Sequence, residues 1–398
     1  MNRKDFICLT LFRATRSIAA GIIMIAFPYL VLQRLKYGPL ALGFIYVAGA
    51  TGTAVFGLLL GLLGDIWGRK RSLFLSGILL PVCGAMVFFS GRLWVLVVAS
   101  AIGGLSATGS LSGGGIGGAS APIQNAVIAD MSQREKWTFY FSAFSFLSGA
   151  FGAVGVLLAR LFDAHDAFLV ATLVSIAGLP FVPMLSVVST RGKLLELPSK
   201  MAIGKFSITA LLNGLAGGLI VPFLIPFFVL VYSLPESKMA VYGFAAGLLA
   251  SVTMLCAPAL ERWLGFVRTI AWTRGIGSVL LILMPLVRWL PVSLIIYLLT
   301  PSLRVVAAPV QQSALVDMVE RDERGRALAA NQMARLVTSS AGIAFTGWMF
   351  EASEIALPFF IYAGTMFANI YLYFRFFSAW EATGSSRRTG SVKPVKGD

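Results

Sequence analysis

Five arginines fall inside long apolar stretches of the chain, where a positive charge is costly. They are Arg13, Arg16, Arg274, Arg304 and Arg335. An arginine at the centre of a helix that spans a lipid bilayer costs at least about 2.5–3.5 kcal/mol on insertion scales. Such a side chain is therefore expected to face a cavity, to find a polar partner, or to extend towards the lipid headgroups.

The acidic residues do not match these arginines, because none of the 17 lies near the middle of an apolar stretch. A guanidinium group presents a planar fork of N–H donors that suits carboxylates and phosphates. Unpaired arginines therefore favour an anionic or strongly hydrogen-bonding ligand. The alternative is structural, with the guanidinium groups bonded to helix carbonyls or to neighbouring helices, and it is the interpretation we favour for Arg274.

The composition indicates a membrane protein. Hydrophobic residues make up 58% of the 398 residues and charged residues 12%, whereas about 25% of the residues in a soluble domain are charged. The sequence contains about twelve runs long enough to cross a bilayer, and they lack the alternating ten-residue pattern of a membrane β-barrel. The predicted helical spans are residues 8–33, 40–63, 73–90, 94–129, 138–160, 167–189, 207–232, 239–260, 267–287, 291–316, 327–350 and 357–377.

The net charge of +15 is explained by the orientation of these spans in the membrane and does not indicate nucleic-acid binding. Most lysines and arginines outside the spans lie in the N-terminus, in alternate loops and in the C-terminal tail. Because cytoplasmic loops carry the excess of positive charge, both termini are expected in the cytoplasm and the chain in the cell (inner) membrane.

The chain repeats itself at a step of nearly half its length. Residues 122–131 and 309–318 share proline, glutamine, aspartate and methionine at matching positions, and residues 21–28 resemble 218–226. Internal repeats of this kind are typical of secondary transporters. The predicted organisation has a six-helix bundle at 1–190, a cytoplasmic linker at 191–205, a second six-helix bundle at 206–380 and a disordered basic tail at 381–398.

The fourth span is too long for a single crossing, and its middle, residues 106–120, is rich in glycine. Two interpretations stay open: close helix packing through small residues, or a broken helix that borders a substrate site. The Gly113, Gly115 and Gly118 spacing formally fits a dinucleotide-binding loop, but no predicted strand precedes it.

Residues 61–71 carry a specific motif between the second and third spans. It consists of Gly61, Asp65 and Gly68, followed by three basic residues, Arg69, Lys70 and Arg71. This motif resembles the signature loop of the major facilitator superfamily, with Ile66 as a departure from it, and residues 261–265 form a degraded copy in the second half. The resemblance implies an all-α membrane protein, with two six-helix bundles related by a pseudo-twofold axis that rock about a central site. It also implies that the loop is a conformational latch, and the alternative is a plain topology anchor.

In that family, spans one, four, seven and ten surround the substrate path, with five and eleven beside it. The resemblance therefore directs Arg16, Arg304 and Arg335 towards a central cavity, and the repeat pairs Arg16 with Asn213. The implied substrate-binding residues are Arg13, Arg16, Asn213, Arg304 and Arg335. A second set of matched polar side chains supplies the cavity or gating candidates, Gln124, Asn125, Gln311 and Gln312.

The expected function is secondary active or facilitative transport of a small solute, an organic anion or a metabolite, by alternating access. Efflux of lipophilic compounds is the alternative, and a non-transporting membrane sensor on the same fold is a remote one. An enzyme is not expected, because the chain has one histidine and no buried acids for catalysis or metal binding. No cofactor or metal is expected, a coupling proton or ion stays open, and a monomer is expected because the two bundles complete each other.

Overall fold

A computed structural model describes residues 3–106, 116, 118–120, 123–125, 127–128, 137–186, 200–319 and 324–389. Regular structure within these ranges is helical, and they contain no strand. Residues 187–199, which include most of the linker predicted at 191–205, lie outside the described residues, as do most of the glycine-rich stretch at 106–120 and the end of the chain from 390.

Helices lie within each of the twelve predicted spans, although the main described helix of the fourth span covers only Leu93–Gly103. The first bundle contains α1 (Arg3–Tyr29, continued by a π-turn at Leu30–Arg34), α2 (Pro39–Trp67), α3 (Arg69–Phe89), α4 (Leu93–Gly103), α5 (Trp137–Ala159) and α6 (Asp166–Gly178). The second contains α7 (Lys200–Ile220), α8 (Leu224–Tyr232), α9 (Glu236–Met254), α10 (Ala257–Leu264), α11 (Phe266–Val287), α12 (Leu290–Met318), α13 (Arg324–Glu351) and α14 (Leu357–Thr389).

Seven of the described helical runs are long and apolar enough to cross a membrane by themselves, and three shorter apolar helices accompany them. The seventh predicted span is divided into α7 and α8 by a 3-10 turn at Val221–Phe223. Pro222 and Pro226 cause this division because a proline has no N–H for the helical ladder.

Several boundaries differ from the sequence prediction. α4 ends at Gly103, and α7 begins at Lys200, inside the linker predicted at 191–205. The eighth span ends at Met254 and the chain restarts as the short helix α10, whose first turn holds a proline. α14 runs on to Thr389, into the part of the chain predicted as the basic tail.

The two bundles pack by the same geometry. In the first, α1 contacts α5 and α6, and in the second, α7 contacts α13 and α14. A Cβ atom at Gly21 would overlap the Gly152 carbonyl oxygen, and one at Gly218 would overlap the Ser339 carbonyl oxygen. Both crossings therefore need glycine for close backbone approach, and the matching positions confirm the repeat seen in the sequence.

The bundles meet mainly along two helix pairs, α2 with α13 and α5 with α9, and α1 also contacts α8 and α9. We call the end that carries residue 3 and the start of α7 the termini end, and the opposite end the far end. A single buried cluster at the far end contains side chains of both bundles, among them Tyr46 and Phe223. At the termini end, the described residues form two separate clusters, each confined to one bundle.

Hydrogen bonds between the bundles follow the same division. The Tyr29 hydroxyl donates to the Leu234 carbonyl oxygen at 2.7 Å, and the Leu40 N–H donates to a Glu351 carboxylate oxygen at 3.1 Å. Both bonds lie at the far end. The structure is therefore closed at the far end, and the bundle cores separate towards the termini end.

Candidate functional site

A small polar pocket lies inside the second bundle, between α7, α12 and α13. It is lined by Asn213, Gly214, Gly217, Arg304, Arg335, Leu336 and Ser339. Three of the five predicted substrate-binding residues therefore meet here, from three different helices. The pocket has a volume of about 10 Å³, close to the minimum that holds one water molecule, so a solute requires the surrounding helices to move apart.

The Arg304 guanidinium is the most exceptional group of this pocket. It is half-buried, no carboxylate lines its pocket, and the titratable side chains that act on it electrostatically are Tyr362 of α14 and Arg274 of α11. One of its terminal nitrogens lies 3.4 Å from the position that a Cβ of Gly217 would occupy. The missing side chain at Gly217 therefore makes the room that the guanidinium fills.

Arg335 adds a second positive charge to the same pocket. Its guanidinium donates to the Gln332 side-chain oxygen at 3.1 Å, within α13. The Ser339 hydroxyl, one turn further on, is buried and has no hydrogen-bond partner among the described residues. No carboxylate lines the pocket, so no acidic side chain within it balances the positive charges of Arg304 and Arg335.

The two arginines of α1 are engaged inside the first bundle. The Arg13 Nε donates to the Ser148 hydroxyl at 2.9 Å, and its guanidinium lies 5.5 Å from the centre of the Phe144 ring. Arg16 donates to the Ser76 carbonyl oxygen of α3 at 2.9 Å. Both side chains are buried. In this conformation they make the bonds to helix groups that the structural alternative describes, and they do not line the Arg304 pocket.

Arg274 holds four helices of the second bundle together. It donates to the side-chain oxygens of Asn369 on α14 and Gln311 on α12, the latter at 3.0 Å, and it stacks on the Tyr373 ring at 4.9 Å. Asn369 in turn donates to the Thr209 carbonyl oxygen of α7 at 2.7 Å. Sequence reasoning missed Asn369, whose only signal was an amide inside the last apolar span.

The gating candidates are distributed over both bundles. Gln311 is committed to Arg274, and Gln124 donates to the Ser120 hydroxyl at 2.9 Å and is buried. Asn125 is exposed. The side chain of Gln312 lies outside the described residues.

The motif at 61–71 forms a tight junction between α2 and α3. Gly68 has φ +97°, and Gly265, at the corresponding junction between α10 and α11, has φ +81°. Both values favour glycine, because a Cβ is strained there. A Glu381 carboxylate oxygen accepts from the Val267 N–H at 3.3 Å at the start of α11, where a negative charge is favourable.

The latch assignment stays a prediction. Gly61 has open space around its Cα, and Arg69 is engaged in an interaction with its surroundings. Lys70 and Arg71 follow in the first turn of α3, and the side chain of Asp65 lies outside the described residues.

Sequence reasoning also missed Glu236, the first residue of α9, which precedes the apolar part of that helix. One of its carboxylate oxygens is buried without a hydrogen-bond partner among the described residues, beside the Tyr29–Leu234 bond that joins the bundles. Burial raises the pKa of Glu236 to about 7. Nearby titratable groups are Tyr29 of α1 and Tyr297 of α12, with Lys238 on α9 itself.

We predict that rising pH opens the far end through Glu236. The closed end holds the carboxyl proton up to about pH 7, whereas an exposed glutamate releases it near pH 4.3. The contribution of Glu236 to closure is therefore fully present below the pKa of an exposed glutamate, and it is lost as the pH rises to the higher pKa of the closed state. The test variant carries Ile25→Cys, and its three native cysteines are replaced by alanine. The Ile25 side chain faces Gly243 across the bundles. Alkylation of this variant by a membrane-impermeant maleimide is expected to accelerate as the pH rises.

The control for this measurement is the same variant carrying Glu236→Gln, which stays neutral at every pH. The intrinsic reactivity of the thiol changes equally in both proteins. A ratio of the two alkylation rates that stays constant from pH 5 to pH 8 would contradict the role of Glu236.

Comparisons with known proteins cover most of the chain. The sequence model of the family described as Major Facilitator Superfamily matches residues 9–307 of this chain. The tetracycline resistance protein, class H, of Pasteurella multocida is 28% identical over 178 residues, which cover 43% of this chain and 41% of the relative. The chain thus spans less than half the length of this curated relative.

Several solved structures are similar over nearly the whole chain. The human organic anion transporter MFSD10 (TETRAN) has a TM-score of 0.69 at 13% identity, covering 93% of this chain and 99% of that protein. The nucleoside transporter NupG has a TM-score of 0.72 at 13% identity (94% and 99% covered), and the D-xylose–proton symporter 0.71 at 14% (92% and 96%). At these identities the likeness shows the fold.

Proposed function

Because the chain belongs to the Major Facilitator Superfamily and is therefore a membrane transporter, we propose that it carries a small organic anion through the pocket formed by Asn213, Arg304 and Arg335. The observation that carries this proposal is the Arg304 guanidinium, which has no acidic partner in the pocket. Two guanidinium groups beside each other repel, and a bound carboxylate or phosphate removes that repulsion while using their N–H donors.

Transport follows from movement of one bundle against the other. The far end is closed by aromatic contacts and by the Tyr29–Leu234 bond, and the bundle cores are separate at the termini end. We propose that the anion enters from the termini end, and that closure there accompanies opening of the far end. With both termini in the cytoplasm of the cell, as the basic loops favour, this is the cytoplasm-facing state of a monomer.

A second candidate function is efflux of a lipophilic compound. The observation in its favour is the likeness of part of the chain to a protein named for tetracycline resistance. An exporter of this kind would bind its compound through apolar side chains, and Arg304 would bind a negatively charged group of the compound. The sensor alternative differs from both, because a sensor binds its ligand without moving it.

Uptake into proteoliposomes tests these proposals directly. Purified protein is reconstituted and assayed with radiolabelled organic anions and, separately, with cationic dyes, in the presence and absence of a pH gradient. Anion uptake that saturates supports the proposed function, and stimulation by the gradient would identify the coupling proton. Transport of the dyes alone would replace the anion proposal by the efflux alternative, whereas binding without uptake of either would favour a sensor.

A further inference from the structure

A second, larger cavity lies on the membrane-facing side of the second bundle, away from the Arg304 pocket. It is an open groove of about 610 Å³ between α11 and α14. Its walls include Trp272, Ile276 and Val279 of α11 and Phe367 and Phe374 of α14. Each of these side chains is between 44% and 60% exposed, so the groove opens towards the lipid.

The floor of the groove lies at Gly275, which has no side chain to fill it. A Cβ atom at Gly275 would meet only the Ile370 Cδ1, at 3.9 Å. From Arg268 to Val279 the groove follows eleven helical steps, which at about 1.5 Å each give roughly 17 Å. This length is about half the hydrocarbon thickness of a bilayer, or one leaflet, and a narrow apolar channel of that length fits one acyl chain.

The termini end of the groove is positively charged. Arg268 is the charged residue among those that line it, and its side chain is exposed. Arg262 and Arg375 are also exposed near the same end, while the nearby carboxylate of Glu381 is engaged with the Val267 N–H. The exposed indoles of Trp263 and Trp272 mark the level of the lipid headgroups, where tryptophan is enriched.

We propose that this groove is a binding site for an anionic glycerophospholipid of the leaflet at the termini end. One acyl chain lies between α11 and α14 over Gly275, and the phosphate of the headgroup pairs with Arg268. Basic residues at the cytoplasmic surface attract anionic lipid by such pairing. A zwitterionic lipid fills the same apolar channel but gains less from Arg268, because its own ammonium group offsets the phosphate charge.

Native mass spectrometry of the purified protein in detergent tests this site. The protein is titrated with phosphatidylglycerol and with phosphatidylcholine of identical acyl chains, and the apparent Kd of the first bound lipid is measured. Wild-type protein is expected to bind phosphatidylglycerol about five-fold more tightly or better. Arg268→Gln is expected to remove that preference, and Gly275→Leu is expected to weaken binding of both lipids by filling the channel.

Two matched variants control for charge and size. Arg288→Gln removes an exposed arginine at the other end of α11, and Gly364→Leu enlarges an exposed glycine of α14 that has open space around it and does not line the groove. Both should bind lipid as wild type does. Equal binding of the two lipids to wild type, or unchanged binding by Arg268→Gln and Gly275→Leu, overturns the proposal. A dimer that Gly275→Leu dissociates overturns it as well, because the groove would then be an interface between two copies.

Discussion

Replacement of Arg304 by alanine is expected to weaken anion binding by one to two orders of magnitude and, at the same time, to leave the protein as stable as wild type or more stable. A charge-assisted hydrogen bond contributes about 1.5–3 kcal/mol, so loss of this guanidinium should weaken binding by about 10- to 150-fold. Stability should not fall, because no carboxylate lines the pocket to form an ion pair with Arg304. Removal of a partly buried charge also removes the free-energy cost of taking that charge out of water.

The effects of Arg304→Ala on binding and on stability distinguish a ligand-binding role of the intramembrane arginines from a structural role. If Arg304 were a structural group, Arg304→Ala would lower the thermal unfolding temperature and leave ligand binding unchanged. Arg304→Lys should give intermediate affinity, because the charge stays but the planar fork is lost. Ser302→Ala is the control on the same helix, since its hydroxyl has no hydrogen-bond partner in the described structure.

Arg16→Ala is expected to lower the stability of the protein and to leave anion binding unchanged. Arg16 donates to the Ser76 carbonyl oxygen between α1 and α3, so its loss is expected to lower the unfolding temperature of the protein. Thermal unfolding in detergent, with and without a bound anion, measures the stability of each variant and its anion binding in one experiment. The anion-binding hypothesis fails if Arg304→Ala leaves ligand binding unchanged.

Gly218→Val is expected to prevent the second bundle from folding. The added side chain would overlap the Ser339 carbonyl oxygen at the crossing of α7 and α13, and the backbone cannot yield without separating the two helices. Overpacking of a well-packed core costs about 1–3 kcal/mol even where side chains can adjust, so the cost here should be larger. Size-exclusion chromatography should show loss of the monodisperse protein.

The control for this variant is Gly204→Val on the same helix. A Cβ at Gly204 meets nothing within 4 Å, so the same change of residue should be tolerated. Gly21→Val, at the matching crossing of α1 and α5, should reproduce the defect in the first bundle. If Gly218→Val and Gly204→Val gave equally monodisperse protein, the close crossing of α7 and α13 would be wrong.

The sequence alone determined the class of the protein and its layout. Apolar runs of about 20 residues can only be buried in lipid as helices, so hydropathy located the spans. The echo between residues 122–131 and 309–318 established the two bundles, and the motif at 61–71 identified the family. Pro222 and Pro226 also account for the break between α7 and α8, because the loss of an N–H at proline is a local property of the chain.

Only the tertiary structure decided which polar groups meet. Arg16 and Arg304 both interrupt apolar helices, yet Arg16 bonds within its bundle, while Arg304 shares a pocket with Asn213 and Arg335. The buried oxygen of Glu236, the closure of the far end and the groove over Gly275 were equally invisible in the sequence. The physical reason is that hydropathy and spacing are properties of one helix, whereas the partner of a side chain depends on which helix packs against it and at what rotation.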